Sequence, residues 1–297
     1  MKPIENITQI FQKLEGAYAD TTIRAYQKNI SNYIAFCKDY HYPVLPSSIM
    51  GIVKFIDHMV GLKLSAFYIH RHLTAIAHIH RMTKHKDPTQ DPDVKIALRR
   101  AFRQRGRYQR QAYPIGGAVL GKILQALPNN LYGCRDRLMI LIAYENLLRR
   151  SEIISLRIED LTPLDHPQYY AKILLRQSKT DPFKEGRWLY LSDETYQAAR
   201  NWLQESRLTT GYLFRGIRKG LHMTEQLHGG QVNKILKKRA QQAGLDAETI
   251  KKISGHSIRV GAAQDLCLAG KTLPQIMAKG RWVKTDTLMR YVEHTII

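Results

Sequence analysis

Residues 98–114, LRRAFRQRGRYQRQAYP, constrain this chain more than any other stretch. Arg99, Arg100, Arg103, Arg105, Arg107 and Arg110 fall within it and no acidic residue does. Gly106 and Pro114 break any helix that enters it. The run reads as the tail of one helix followed by a basic linker, which splits the 297 residues into two parts of domain size. The expected domains are 1–111, ending in the linker, and 112–297.

The first part reads as helices. From Asp20 to Asp39, Ile23, Tyr26, Ile30, Tyr33, Ile34 and Cys37 recur at helical spacing, with Asp20 or Thr21 as the cap. Ser48 to Val60 forms a shorter apolar helix. From Ser65 to Thr83, Ile69, Leu73, Ile76 and Ile79 make a core stripe, and Arg71, Thr74, His78 and Arg81 make a polar stripe beside it. Such a polar row is either a solvated face or a surface for a DNA major groove.

The second part changes character. Helices are expected at 118–127 and 134–148, strands at Tyr169–Arg176 and Arg187–Leu191, and helices again after Ser192. Helices at 231–243 and two capped by Thr272 and Asp286 complete it. The fold class is therefore mainly α with a small β-sheet, in two domains.

Lys and Arg number 46 against 25 Asp and Glu, a formal charge of +21. An excess of this size favours a polyanionic partner, nucleic acid foremost. A membrane span needs about 20 mostly apolar residues, and charge interrupts every long apolar stretch here. The opening MKPIENITQIFQKLEG lacks a signal-peptide core. Cys37, Cys134 and Cys267 are too scattered for a disulfide framework or a zinc cluster. A reducing, intracellular setting is the expectation.

Two decoys fall away. GGAVLGK at 116–122 has P-loop spacing, but Ile123 stands where Ser or Thr should hold magnesium and no strand precedes it. His70, His72, His78 and His80 share a helix without a nearby Cys or carboxylate, so packing or DNA-facing roles are favoured over zinc.

Four pieces carry chemistry when taken together. Arg149 and Glu152 lie three apart in LLRRSEIISL, a spacing that alone would suggest a surface ion pair. Lys179 sits in the turn-rich QSKTDPFKEG between the two strands. His256 and Arg259 open a helix in SGHSIRVGAAQDLCLAG, where a helix N-terminus favours anions. Trp282 and Tyr291 follow in KGRWVKTDTLMRYVE.

The order Arg, Lys, His-x-x-Arg, Trp, Tyr resembles the tyrosine recombinase (phage integrase) family, and within it the Cre-like recombinases. SGHSIRVGAAQDL, GRW and the tyrosine after LMR carry the likeness, with weaker echoes at NYIAFCK and IHRHLTAIAHIHR. The family pattern Arg-x-Ser-Glu selects Arg149 over Arg150. The resemblance implies a helical DNA-binding domain and an α+β catalytic domain that clamp double-stranded DNA. It implies a 3′-phosphotyrosyl intermediate on Tyr291 and strand exchange through a Holliday junction. The working assembly would be a dimer on one site of inverted half-sites and a homotetramer on two sites. Arg149, Arg259 and Trp282 would hold the phosphate, His256 would assist, Lys179 would protonate the leaving oxygen and Glu152 would orient its neighbours. No cofactor or metal is needed, no membrane is involved, and the setting would be the cytoplasm of a bacterium, with the gene on a chromosome, phage or plasmid.

DNA contacts are expected from Arg71, Thr74, His78, Arg81, Arg103, Arg105 and Arg107 in the first domain. In the second, Gly230 stands where the Cre-like pattern offers a base-reading arginine, leaving Gln231, Asn233 and Lys234 as candidate readers. Six residues follow Tyr291, fewer than the further helix that docks between Cre-like protomers, and Ile296 and Ile297 are the candidates for a reduced contact. Two other readings compete: a topoisomerase-like or hairpin-forming strand transferase, and a non-catalytic basic DNA-binding protein. The second leaves the ordered motif set unexplained.

Overall fold

The computed structural model describes residues 2–106, 111–178, 181, 183, 185–293 and 295, with side chains from residue 7 onward. Arg107, Arg110, Lys179, Ile296 and Ile297, all singled out by the sequence, lie outside the described residues. The chain divides into two compact units, Met1–Gln109 and Arg110–Ile297.

The first unit contains α1 (Lys2–Leu14), α2 (Asp20–Asp39), α3 (Ile49–Gly61), α4 (Ala66–Met82) and α5 (Pro92–Arg105). The α4 stripe lies inside as its spacing requires: Ile69, Leu73, Ile76 and Ile79 are all buried. They meet Ile30, Tyr33 and Phe36 of α2, Ile52, Phe55 and Ile56 of α3, and Val94, Ala97 and Ala101 of α5. Each large side chain so buried contributes roughly 1.5–3 kcal/mol. Ser48 and Ser65 cap α3 and α4 by accepting the backbone N–H of Gly51 and Tyr68. Asp91 caps α5 with Pro92 in the first turn, and Gly106 ends it at φ 71°. The cap expected at Asp20 or Thr21 is instead Ala19, which has no side-chain bond; Asp20 sits in the first turn of α2, where its charge suits the helix dipole.

The second unit begins with α6 (Gly117–Gln125), α7 (Leu131–Glu145) and α8 (Arg150–Ser155). A three-stranded antiparallel sheet follows, β1 (Leu161–Pro163), β2 (Ala171–Leu175) and β3 (Arg187–Leu191), in that order, with Ile173 opposite Leu161 and Leu189. Strand β1 is three residues long, too short to leave a period in the sequence. Then come α9 (Asp193–Ser206), α10 (Gly229–Gln242), α11 (Ala247–Lys252), α12 (Ser257–Leu268), α13 (Leu273–Gly280) and α14 (Thr285–Val292). Between α9 and α10 the chain is irregular, with isolated bridges Arg157–Tyr212 and Ile217–Met223 instead of unbroken helix.

Two helices organise this unit. In α7, Leu138 to Ala143 are buried in succession, and in α12 Ser257 to Ala263 are, so both run through the core and not over it. Gly261 is what lets α12 pass the entering chain: a Cβ there would lie 2.2 Å from the carbonyl carbon and oxygen of Ile115. The decoy loop at 116–117 has its role here as well. The Gly117 N–H donates to the Asp265 carboxylate at 2.7 Å, and Tyr144 donates its hydroxyl to the same oxygen at 2.5 Å, so a carboxylate already occupies that helix start. A separate apolar cluster of Leu147, Ala262, Ala263, Ile276, Trp282, Leu288 and Val292 joins α12, α13 and α14.

Candidate active site

The helix expected to run to residue 148 stops at Glu145. Leu147 takes a left-handed φ of 48°, which turns the carbonyls of Asn146 and Leu147 out of the helical ladder. Two buried guanidinium groups collect them. Arg259 donates through Nη1 to the Leu147 carbonyl and through Nη2 to the Gly280 carbonyl. Arg281 donates to the Asn146 carbonyl from both Nη atoms at 3.2 Å and to the Leu147 carbonyl at 3.4 Å.

Directly after this turn Arg149 occupies the N-cap of α8, with Glu152 in its first turn. Glu152 accepts the Arg149 backbone N–H at 2.9 Å and the Arg149 Nη1 at 2.7 Å. Its other partner is Arg281, whose Nη2 reaches Glu152 Oε2 at 2.8 Å. Arg149 Nη2 also donates to the Arg281 carbonyl at 3.4 Å. The remaining donors of Arg149 are available to an incoming oxyanion, and its side chain is 18% exposed.

His256 caps α12 and Arg259 lies one turn on. Across from them α14 presents Tyr291, whose hydroxyl is 2.6 Å from His256 Nε2. The indole of Trp282 covers Arg259, with the guanidinium carbon 4.0 Å from the ring centroid, and its ring centroid lies 5.8 Å from that of Tyr291. Gly280 makes room for this indole, since a Cβ there would lie 1.7 Å from its ring. Two side-chain amides hold the backbone of α14: Gln264 donates to the Tyr291 carbonyl at 2.8 Å and Gln111 to the Arg290 carbonyl. Asp286, expected as a cap, sits within the first turn of α14 behind Lys284, where its charge still favours the helix start.

Burial sets the protonation states. His256 is pushed down to about 4 by burial, helped by the charges of Arg259 and Arg149, so its imidazole is neutral at pH 7. Burial raises Tyr291 above its ordinary value, while Arg259 and Arg149 pull against that rise. Burial lowers Arg259 to about 9, still cationic at neutral pH. Glu152 would be raised by burial, but Arg281 and Arg149 outweigh it and hold the carboxyl below the usual range. The site is thus a cluster of three cationic guanidiniums around one carboxylate, a neutral histidine and a protonated phenol. Among the described residues no group of His, Cys, Asp and Glu is placed to hold a metal ion.

The structure brings Arg149, Glu152, His256, Arg259, Trp282 and Tyr291 together from four separate segments. Lys179 belongs to the connection between β2 and β3, outside the described residues; Ser178 and Asp181 on either side of it pair as an isolated bridge. Arg281, Gln264 and Gln111 were not anticipated. Only the position of Arg281 beside Trp282 could have drawn attention to it.

The expected DNA-contacting residues fare unevenly. In the first unit Arg71, Thr74, Arg81 and Arg103 are exposed. Arg81 pairs with Asp87 at 2.8 Å, and Arg105 turns back to the carbonyls of Lys63 and Leu64 beyond the end of α3. His78 is a correction. It is buried against the rings of Tyr18 and Tyr26, because the α1–α2 junction folds over that part of α4. In the second unit Gln231 accepts the His228 N–H and Asn233 accepts the Gly255 N–H at 2.6 Å, while Lys234 is exposed. No helix among the described residues is long and apolar enough to cross a membrane.

A family model described as the phage integrase family matches residues 116–296, and the chain belongs to that family. Among similar curated proteins, an integrase/recombinase xerD homolog of Selenomonas ruminantium is 28% identical over 293 residues, covering 95% of this chain and 84% of the relative. The recombinase cre of Escherichia phage P1 is 25% identical over 307 residues, covering 98% of this chain and 88% of that protein. Among solved structures, the XerH site-specific recombinase bound to a palindromic difH substrate in a post-cleavage complex shares the fold. It has a TM-score of 0.68 and 18% identity, over 92% of this chain and 76% of the other.

Proposed function

We propose that this tyrosine recombinase cleaves double-stranded DNA by attack of Tyr291 on a backbone phosphate. The observation that carries the assignment is the 2.6 Å contact between the Tyr291 hydroxyl and a neutral His256, set among Arg149, Arg259 and Trp282. The phenol oxygen bonds to phosphorus and the bond from phosphorus to the 5′ oxygen breaks. The phenol proton passes to His256 Nε2, which burial keeps unprotonated and able to accept it. Arg149 and Arg259 stabilise the charge that builds on the non-bridging oxygens. Arg259 is fully buried beneath Trp282, so the phosphate reaches it only once the indole turns aside, and that turn frees the indole N–H to donate to the same phosphate. Lys179 protonates the leaving 5′ oxygen. The phosphotyrosyl ester conserves the energy of the bond, so rejoining reverses the same steps.

The exposed Arg71, Thr74, Arg81 and Arg103 of the first unit and Lys234 of the second grip the DNA. A two-fold pair of protomers reads inverted half-sites, in keeping with the palindromic substrate of the XerH structure. Two such pairs form the tetramer that exchanges strands through a Holliday junction, in the cytoplasm where bacterial and phage DNA lies. No cofactor enters this scheme.

Covalent capture tests the reading. The protein is mixed with a pool of random duplexes, washed under denaturing conditions, and the retained DNA is sequenced. Enrichment of an inverted repeat is expected. Retention no greater than that of Tyr291→Phe contradicts it. The acid has its own test: Lys179→Ala stalls on ordinary DNA and is rescued by a 5′-bridging sulfur, because a thiolate leaves without a proton. Absence of rescue removes Lys179 from that role.

A further inference from the structure

Arg281 bonds Glu152, the Asn146–Leu147 turn and, through its carbonyl, Arg149, yet the chemistry above makes no use of it. It adopts φ 57° and ψ 46°, left-handed backbone that glycine enters freely and a side-chain-bearing residue enters at a steric cost. Its guanidinium is buried, with 7% of the residue exposed. From there it donates to Glu152 Oε2 and to the Asn146 and Leu147 carbonyls, while its own carbonyl accepts Arg149 Nη2. A strained backbone position whose carbonyl accepts a neighbour's guanidinium, and whose side chain holds the carboxylate that the same guanidinium bonds, acts on that neighbour from two sides.

The neighbour is Arg149. A guanidinium beside a buried carboxylate favours a two-pronged embrace of both oxygens. That embrace would fold Arg149 onto Glu152 and away from the DNA phosphate. Here the carboxylate is partitioned. The Arg149 guanidinium holds Oε1, while Oε2 takes the Arg281 guanidinium at 2.8 Å and the Arg149 backbone N–H at 2.9 Å, so no second prong of the Arg149 side chain reaches it. We propose that Arg281 is a positioning residue which, by occupying the second oxygen of Glu152, keeps the guanidinium of Arg149 free to bind the scissile phosphate. The inference rests on the recombinase reading and goes beyond it, since it assigns the readiness of Arg149 to a residue that never meets DNA.

The test uses the full chain and the duplex recovered by covalent capture, made in two forms. One carries the ordinary phosphodiester at the cleaved step. The other carries a methylphosphonate there, which removes the negative charge that Arg149 answers. Adduct formation is timed in single turnover for the wild type, Arg281→Gly and Arg281→Lys. Glycine relieves the left-handed backbone, so Arg281→Gly tests the side chain with the least disturbance of the turn; lysine keeps a charge near Glu152 but lacks the planar fork. Arg281→Gly is expected to cleave the phosphodiester about 100-fold more slowly and the methylphosphonate within about threefold of wild type, with Arg281→Lys between the two on the phosphodiester. Equal slowing on both substrates makes Arg281 merely structural and overturns the proposal, as does unchanged cleavage of the phosphodiester. Should Arg281→Gly melt below the assay temperature, the ratio between the two substrates for Arg281→Lys decides alone. A wild-type protein that forms no adduct overturns the recombinase reading itself, a result distinct from either.

Discussion

The arginines proposed to grip DNA in the first unit and those gathered at the site in the second live in opposite surroundings. In the first, Arg71, Arg81 and Arg103 stand in solvent on helices whose other faces are packed. In the second, Arg259 is fully buried, Arg281 nearly so, and Arg149 is largely enclosed. Solvated cations act by number: each is screened by salt, and its neighbours cover for its loss. Buried cations act by position, because each has been taken from water and its geometry is fixed by the carbonyls and carboxylate that compensate it. On the proposed reading these solvated arginines supply grip and these buried ones chemistry, and substitutions should separate the two sharply.

The largest effect is expected at Arg259. Arg259→Lys cannot reach the Leu147 and Gly280 carbonyls and a phosphate together, and adduct formation should fall by about 100- to 1,000-fold, measured in single turnover with DNA affinity little changed. A fall of tenfold or less would erase the distinction between the two kinds of arginine. The next effect isolates burial from catalysis. Asp136 is buried between Arg135 and Arg239, bonded to both, and takes no part in the proposed chemistry. Asp136→Ala leaves two buried cations without their carboxylate and should destabilise the fold by about 3–5 kcal/mol, read from urea unfolding. A loss under 1 kcal/mol would mean that burial alone does not make these cations sensitive.

Protonation sharpens the comparison further. His256 should titrate near pH 4 in the DNA-free protein, followed by NMR of its ring protons. Its folded value lies below its unfolded one, so the neutral ring favours the folded state above about 6.5, and that advantage shrinks as pH falls toward 4. A midpoint near 6.5 would mean that the ring is solvated and not the poised acceptor described. The smallest effect belongs to the first unit. Arg71→Ala or Arg103→Ala should weaken DNA binding uniformly across sequences and lower the salt slope by about 1, measured by titration at several ionic strengths. A loss of cleavage without a loss of affinity would place those residues in the wrong category.

Much of this was legible in the amino acids. The apolar period of α4 predicts its buried face because Ile69, Leu73, Ile76 and Ile79 must share a side whatever they pack on. Arg149, His256, Trp282 and Tyr291 were legible only together, through the ordered set that resembles the tyrosine recombinases, since each segment alone reads as an ordinary ion pair or packing residue. What escaped depends on distant chain. His78 belongs to the polar row of α4 by spacing, and only the fold of Tyr18 over it decides that it is buried. That Asn233 also accepts the Gly255 N–H on its side-chain oxygen could not be read from its own segment, because Gly255 arrives from another. The end of α7 at Glu145 has no Gly or Pro to announce it; the break is held by Arg259 and Arg281, more than 100 residues later. Arg281 itself gave no signal beyond standing next to Trp282, because its work is done through Glu152.

The central claim is that one phenol in this chain becomes joined to DNA. It is tested most directly by digesting the denatured covalent complex with protease and nuclease and sequencing the nucleotide-bearing peptide by mass spectrometry. The account predicts a peptide with a 3′-phosphonucleotide on Tyr291, absent from the Tyr291→Phe protein. A nucleotide on any other residue, or an adduct that survives in Tyr291→Phe, would contradict it.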